Sequence, residues 1–224
     1  MAKTPDMAKR LDPLKETTAK VVRRWAETPY YDSVEKVAMS QWENMITPFI
    51  NPEVPDMSHV MELAVGHGRM TEILLGVSEK VTGVDVLQEN IDFCANRFEG
   101  NSKLTLMRND GVELGGLDDN SVSFVFCFDS MMHFDSDVVR SYLGEFYRIM
   151  QPGALAFLHH SNLTRNPGGD FQKAAHARNF MSVPMFSHYA QKEGLTVVKQ
   201  KVLDWGKGKN LMKDHDGFAL LRKP

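Results

Sequence analysis

The sequence predicts an α/β protein with a doubly wound, Rossmann-like sheet of seven strands, mostly parallel with the last strand antiparallel. Three observations carry that reading. Short apolar runs alternate with stretches of helical periodicity along most of the chain. Those runs are apolar throughout, as strands of a parallel sheet covered on both faces are. The last two follow one another across a Gly/Lys-rich turn, which suits an antiparallel pair closing the sheet.

Residues 1–55 are expected to form a helical lid region ahead of the sheet. Basic residues gather near the start (Lys3, Lys9, Arg10, Lys15, Lys20, Arg23 and Arg24), and the interleaved acids mark a solvated helix face. From 32 to 46, Val34, Val37, Ala38, Gln41, Trp42, Met45 and Ile46 recur at helical spacing, with Asp32 and Glu35 as a capping pair. Trp42 lies on the apolar stripe and is expected in the core. Pro48, Pro52 and Pro55 are expected to end that helix.

Residues 56–224 carry the sheet. "HVMELAV" reads as the first strand and is followed by a helix from Arg69 to Gly76. "KVTGVDV" is the second strand, with the helix "QENIDFCANRF" after it. "KLTLMR" and the very apolar "SVSFVFCF" are the third and fourth. A helix from Asp135 to Met150 stops at "QPG", and "ALAFLHH" is the fifth strand. A helix over 184–193, the strand "TVVKQKVL" and the strand "GFALLRK" complete the chain.

Composition excludes several classes. Hydrophobic residues are 42% and charged residues 25%, which a folded domain has and a disordered chain lacks. The net charge of −3 gives no global attraction to nucleic acid. No stretch approaches the roughly 20 apolar residues of a membrane span. Cys94 and Cys127 sit in apolar surroundings without metal-ligand spacing and read as buried free thiols. The start of the chain lacks the apolar core of a signal peptide. The expected location is the cytoplasm, and the oligomeric state is left open.

The stretch "MELAVGHGRM" follows the first strand and opens a helix. Gly66 and Gly68 let the backbone approach a ligand, and the helix N-terminus adds partial positive charge. A dinucleotide fingerprint would need glycine at position 71, which is Thr71. A pyrophosphate would also be repelled by Glu62, whereas a ligand with an amino group would be held by it. Asp85 ends the second strand, where an acid can take both ribose hydroxyls. Asp110, after the third strand, is placed to accept from the amine of a purine. Amino acid, ribose and adenine without phosphate describe S-adenosylmethionine.

The motifs "VMELAVGHGR", "VTGVDV", "RNDG", "FVFCFDSMMHF" and "YRIMQPGALAFLHHSN" resemble, in order, those of class I S-adenosylmethionine-dependent methyltransferases. The likeness spans about 60–161, and the closing strand pair suits that family's antiparallel last strand. It implies that Glu62, Gly66 and Gly68 line the methionine end of the cofactor. Asp85 would bind the ribose, Asp110 and Gly111 would frame the adenine, Phe128 and Asp129 would lie under the methionine moiety, and Val86 would join the cofactor-binding residues. The family usually has glycine where Ala64 stands. A methyl group fits there if the backbone keeps negative φ, so altered contacts rather than lost binding are expected.

Methyl transfer to a hydroxyl needs an aligned nucleophile, exclusion of water and a proton acceptor. His133, after the fourth strand, is the leading base, since histidine titrates near neutral pH. His159 and His160 close the fifth strand on the expected rim, where at most one should face the pocket because neighbouring strand residues point to opposite faces. His176 and Arg178 lie in a long loop of the kind that shapes substrate pockets, or that simply runs over the surface. Tyr30 and Tyr31 end the first helical stretch and are placed to cover the cofactor or meet its sulfonium by cation–π attraction. Asp129 and the nearby histidines follow no standard metal-ligand spacing, and no metal is expected.

"AVGHGR", "FDSMMHFDSD" and "LHHSN" further resemble small bacterial methyltransferases that accompany sugar and polysaccharide biosynthesis. That resemblance implies O-methylation of a sugar hydroxyl or a related small polar metabolite. The alternatives are methylation of an amine and a non-catalytic module that binds the cofactor or its product. Nucleic-acid methylation is disfavoured further by "FDSM", which stands where amino-purine methyltransferases carry Asn/Asp-Pro-Pro-Tyr/Phe.

Overall fold

The computed structural model describes residues 5–165, 167–168, 173, 175–206 and 208–224. Its centre is a seven-stranded sheet of order β3-β2-β1-β4-β5-β7-β6. The strands are β1 (His59–Leu63), β2 (Lys80–Asp85), β3 (Leu104–Arg108), β4 (Val122–Cys127), β5 (Met150–Ser161), β6 (Thr196–Trp205) and β7 (Met212–Arg222). β1 to β5 run parallel, and β7 lies antiparallel between β5 and β6.

Both faces of the sheet are covered, which is why β4 carries no polar alternation beyond Ser123. Its Phe124 and Phe126 face one layer, where α5 (Arg69–Val77) contributes Met70, Ile73 and Leu74 and the N-terminal region contributes Trp42, Ile46 and Ile50. Val125 and Cys127 face the other, formed by α7 (Ser136–Ile149) and α8 (Val183–Lys192). A buried Phe in such a layer stabilises the fold by about 1.5–3 kcal/mol relative to exposure. α6 (Gln88–Arg97) packs Ile91 and Cys94 against Val65. Strand order reverses between β1 and β4, and a ligand crevice in an open α/β sheet lies at the carboxyl ends of strands at that point.

The N-terminal region departs from expectation. α1 (Pro5–Ala26) is one long helix, and the expected helix over 32–46 is broken into α2 (Tyr30–Glu35), α3 (Ala38–Gln41), a π turn over Trp42–Ile46 and α4 (Thr47–Ile50). Tyr30 and Tyr31 therefore open α2 rather than end the first helix. Asp32 lies inside α2 and caps nothing. Pro48 does not stop the chain, because proline is tolerated in a helix's first turn, and it falls there in α4. Trp42 is in the core as expected. β5 also begins earlier than "ALAFLHH": Met150 already pairs with Val122, and the exposed "QPG" belongs to the strand.

Candidate functional site

The loop after β1 is shaped by its backbone. The N–H groups of Ala64 and Val65 both point to the Val84 carbonyl, at 2.7 and 3.2 Å. That arrangement turns Ala64 to φ +65°, contrary to the negative φ expected from its side chain. Gly66, at φ +55°, has no space for a side chain: a Cβ would stand 2.6 Å from the Tyr31 ring. Its N–H donates to Asp85 Oδ2 at 3.0 Å.

Three acids converge on this loop. Glu62 is buried at the end of β1 and accepts a 2.6 Å hydrogen bond from Thr71 Oγ1. Burial pushes its carboxyl up to about 8, against the opposing pull of Thr71 and the Arg69 charge. Thr71 thus holds the acid from the place where a dinucleotide site would carry glycine. Asp85 is raised by burial as well, opposed by the N–H groups of Leu87 and Gly66. Asp129 follows β4 at φ +59° and accepts from Tyr30 Oη at 2.5 Å and Arg69 Nη2 at 2.7 Å. Arg69 also reaches Gln41 and lies 5.3 Å from the centroid of the Phe128 ring.

Val86, Asp110 and Gly111, expected among the cofactor-binding residues, meet in a neighbouring place. A Cβ on Gly111 would lie 3.2 Å from both Val86 and Thr18 of α1. Asp110 accepts from the backbone of Val112 and Glu113 and pairs with Lys15 of α1 at 3.1 Å. Burial opposes ionisation of Asp110, but those N–H groups and the Lys15 charge hold it below the usual carboxylate range. Val86, Asp110 and Gly111 therefore lie under α1 and not in the open cleft, whose walls include Glu62, Gly66, Asp85, Arg69, Tyr30 and Tyr31.

Of the histidines expected at the site, His133 reaches the cleft, together with Trp25, Phe128 and Phe134, and His67 of the loop after β1 lines it as well. It ends a 3₁₀ turn over Met131–His133. Its Nδ1 lies 3.1 Å from the Ala177 carbonyl, so Nδ1 carries the proton and Nε2 keeps its lone pair. The ring packs at 5.0 Å, centroid to centroid, from Trp25. Burial lowers its pKa to about 4, partly offset by the Ala177 contact.

The other expected rim residues lie elsewhere. His159 and His160 are both fully buried, and neither lines the cleft. His159 packs among Phe128, Trp205 and Phe218, while His160 stacks 3.9 Å from Phe186 on the opposite face. They alternate as strand neighbours do, but both faces of β5 are covered there. Arg178 is buried in a bidentate pair with Asp216 of β7 and cannot contact a substrate in the cleft. His176 is exposed at φ +52° and away from the cleft walls. Among the described residues no three His, Cys, Asp or Glu side chains are placed to hold a metal ion, and no helix is long and apolar enough to cross a membrane.

Sequence reasoning missed Arg69, Trp25 and Phe134. Arg69 was accessible to it: the first residue of a helix opened by a glycine loop stands at the cleft mouth. Trp25 carried no local signal, because α1 reaches the site only through tertiary packing.

Residues 61–158 match a family model described as a methyltransferase domain. S-adenosylmethionine is the cofactor that this domain implies. YqeM of Bacillus subtilis (strain 168), which carries the name of a methyltransferase, is 26% identical over 136 residues, 59% of this chain and 53% of that protein. The chain thus spans about half the length of that relative. Among solved structures, a chain of the complex between the Haloferax volcanii Trm112 methyltransferase activator and a methyltransferase superposes with a TM-score of 0.66. It is 16% identical, and the match covers 91% of this chain and 97% of that one. The [4+2]-cyclase SpnF gives a TM-score of 0.64 at 12% identity, over 89% and 84% of the two chains. At such identities the likeness is one of fold, and a fold shared with a cyclase leaves the reaction to the site.

Proposed function

We propose that this chain is an S-adenosylmethionine-dependent methyltransferase that methylates a hydroxyl of a small polar acceptor, with His133 as the general base. The observation that supports it most is His133 itself: in the cleft, neutral near pH 7, with Nδ1 spent on Ala177 and Nε2 free to accept a proton. The sugar character of the acceptor rests on the sequence resemblance alone.

The residues present fit the cofactor. Glu62 is a buried acid whose one hydrogen-bond donor among the described residues is a hydroxyl, which suits a ligand ammonium. Arg69 faces the same wall and suits the ligand's carboxylate. Asp85 would take ribose hydroxyls, and Asp110 and Gly111 would frame the purine once α1 moves off them. When bound, S-adenosylmethionine supplies an electrophilic methyl group. The chain's part is then to align the acceptor, shield it from water and take its proton at His133 Nε2.

α1 and α2 would act as the lid of this site. Tyr31 lies against Gly66, Thr18 against Gly111 and Lys15 on Asp110, so the cofactor needs these helices to lift. The reading is tested by His133→Ala with labelled cofactor and a panel of hydroxyl and amine acceptors. Turnover is expected to fall about 10²–10⁴-fold while cofactor binding measured by calorimetry stays near wild type. Unchanged turnover removes His133 as base. A mild loss with activity rising with pH points to an amine acceptor instead.

A further inference from the structure

We propose that Asp216, on the last antiparallel strand, is a positioning residue that sets the tautomer and orientation of His133 through the segment Ala177–Asn179. The inference rests on reading His133 as the base. Asp216 is fully buried and far along the chain from every motif of the cofactor site. Both of its oxygens are used: Oδ1 accepts from Arg178 Nε at 2.5 Å and Oδ2 from Arg178 Nη2 at 2.7 Å. A bidentate pair of this kind fixes direction as well as charge.

Arg178 follows Ala177, whose carbonyl faces His133 Nδ1. His176 and Ala177 stand at φ +52° and +51°, a conformation that non-glycine residues keep only when their surroundings impose it. Asn179, the residue after Arg178, is clasped on the other side: its N–H donates to Met132 O at 2.8 Å and its amide to Phe134 O, while Ser161 Oγ donates to its carbonyl. The segment 177–179 is therefore a rigid bridge from β7 to the turn that carries His133, and the Arg178–Asp216 pair anchors it.

A weaker, electrostatic link leads from the same carboxylate toward the cleft, since the His159 Nε2 that approaches it makes no hydrogen bond. His159 Nδ1 accepts from the Asp129 N–H at 3.2 Å, so its proton sits on Nε2, which faces Asp216 Oδ2 at 3.3 Å. That link supports Asp129 in its left-handed conformation, where its side chain meets Tyr30 and Arg69. Asp216 also balances the buried Arg178 charge close to His133. One side chain outside the cleft thereby bears on Asp129 and His133, two of the residues that follow β4 into it.

The test is ¹⁵N–¹H correlation spectroscopy of the full chain labelled at histidine, with the His133 signals assigned by His133→Ala. Wild type is expected to show one tautomer, with ring-nitrogen shifts well separated. In Asp216→Asn the two His133 shifts should converge as the Nδ1–H form loses its fixed acceptor. Should that variant not fold, Arg178→Met with Asp216→Leu leaves no unpaired buried charge and should give the same convergence. Unchanged His133 shifts in a folded variant would overturn the proposal. Retained turnover in His133→Ala overturns instead the base assignment, and the spectrum, which needs no acceptor, keeps the two failures apart.

Discussion

Ala64 holds φ +65°, a conformation costing an L-residue roughly 1–2 kcal/mol relative to the right-handed one. The strain is imposed by the shared Val84 carbonyl, which fixes the loop before the side chain has any influence. Ala64→Gly should relieve it, less the greater entropy glycine loses on folding, for a net gain of about 0.5–1 kcal/mol. Urea unfolding of the two proteins measures this, and a loss of stability would show that the methyl group packs favourably enough to outweigh the backbone. The position was visible in the sequence as a departure from a glycine pattern. The sign of φ was not, because it depends on how β1 ends against β2. His159, His160 and Arg178 show a related limit: strand position set them near the right end of the sheet, but only the packing of β7 and Phe186 decided that they are buried.

At the scale of elements, the region least legible in the sequence is the one that covers the site. Helical periodicity was real in residues 32–46, yet it could not reveal the break between α2 and α3 or the approach of α1 to Gly111. The six residues of α2 are too few to hold a helix alone. Arg97 of α6 ties them down, meeting Glu35 at 2.7 and 3.1 Å while also contacting Glu72 and the His67 carbonyl. Exposed pairs contribute little, but this one is bidentate and networked. Arg97→Ala should speed amide exchange across Tyr30–Glu35 about three- to tenfold, as expected for a loss of roughly 1 kcal/mol, with little change in β1 or β4. Exchange unchanged in α2 would mean that Tyr30 and Tyr31, not the ion pair, hold this helix in place.

For the whole molecule, the alternation of strands and helices was enough to read the sheet and its antiparallel close, because a parallel sheet leaves a continuous apolar signature in each strand. The grouping of Glu62, Gly66 and Asp85 was legible in the same text, since they stand at the carboxyl ends of β1 and β2 and in the loop after β1, which the topology brings to one crevice. What the topology leaves open is charge state. Burial holds Glu62 near 8, so its carboxyl is largely protonated at pH 7. A ligand ammonium beside it favours the carboxylate, and binding must then release a proton. Calorimetric titration of S-adenosylmethionine into the full chain at pH 7, in two buffers of different ionisation heat, measures that proton directly. One-to-one binding with release of close to one proton, abolished in Glu62→Gln, is the predicted result. No saturable binding, or the same proton release in Glu62→Gln, would contradict the assignment of this cleft.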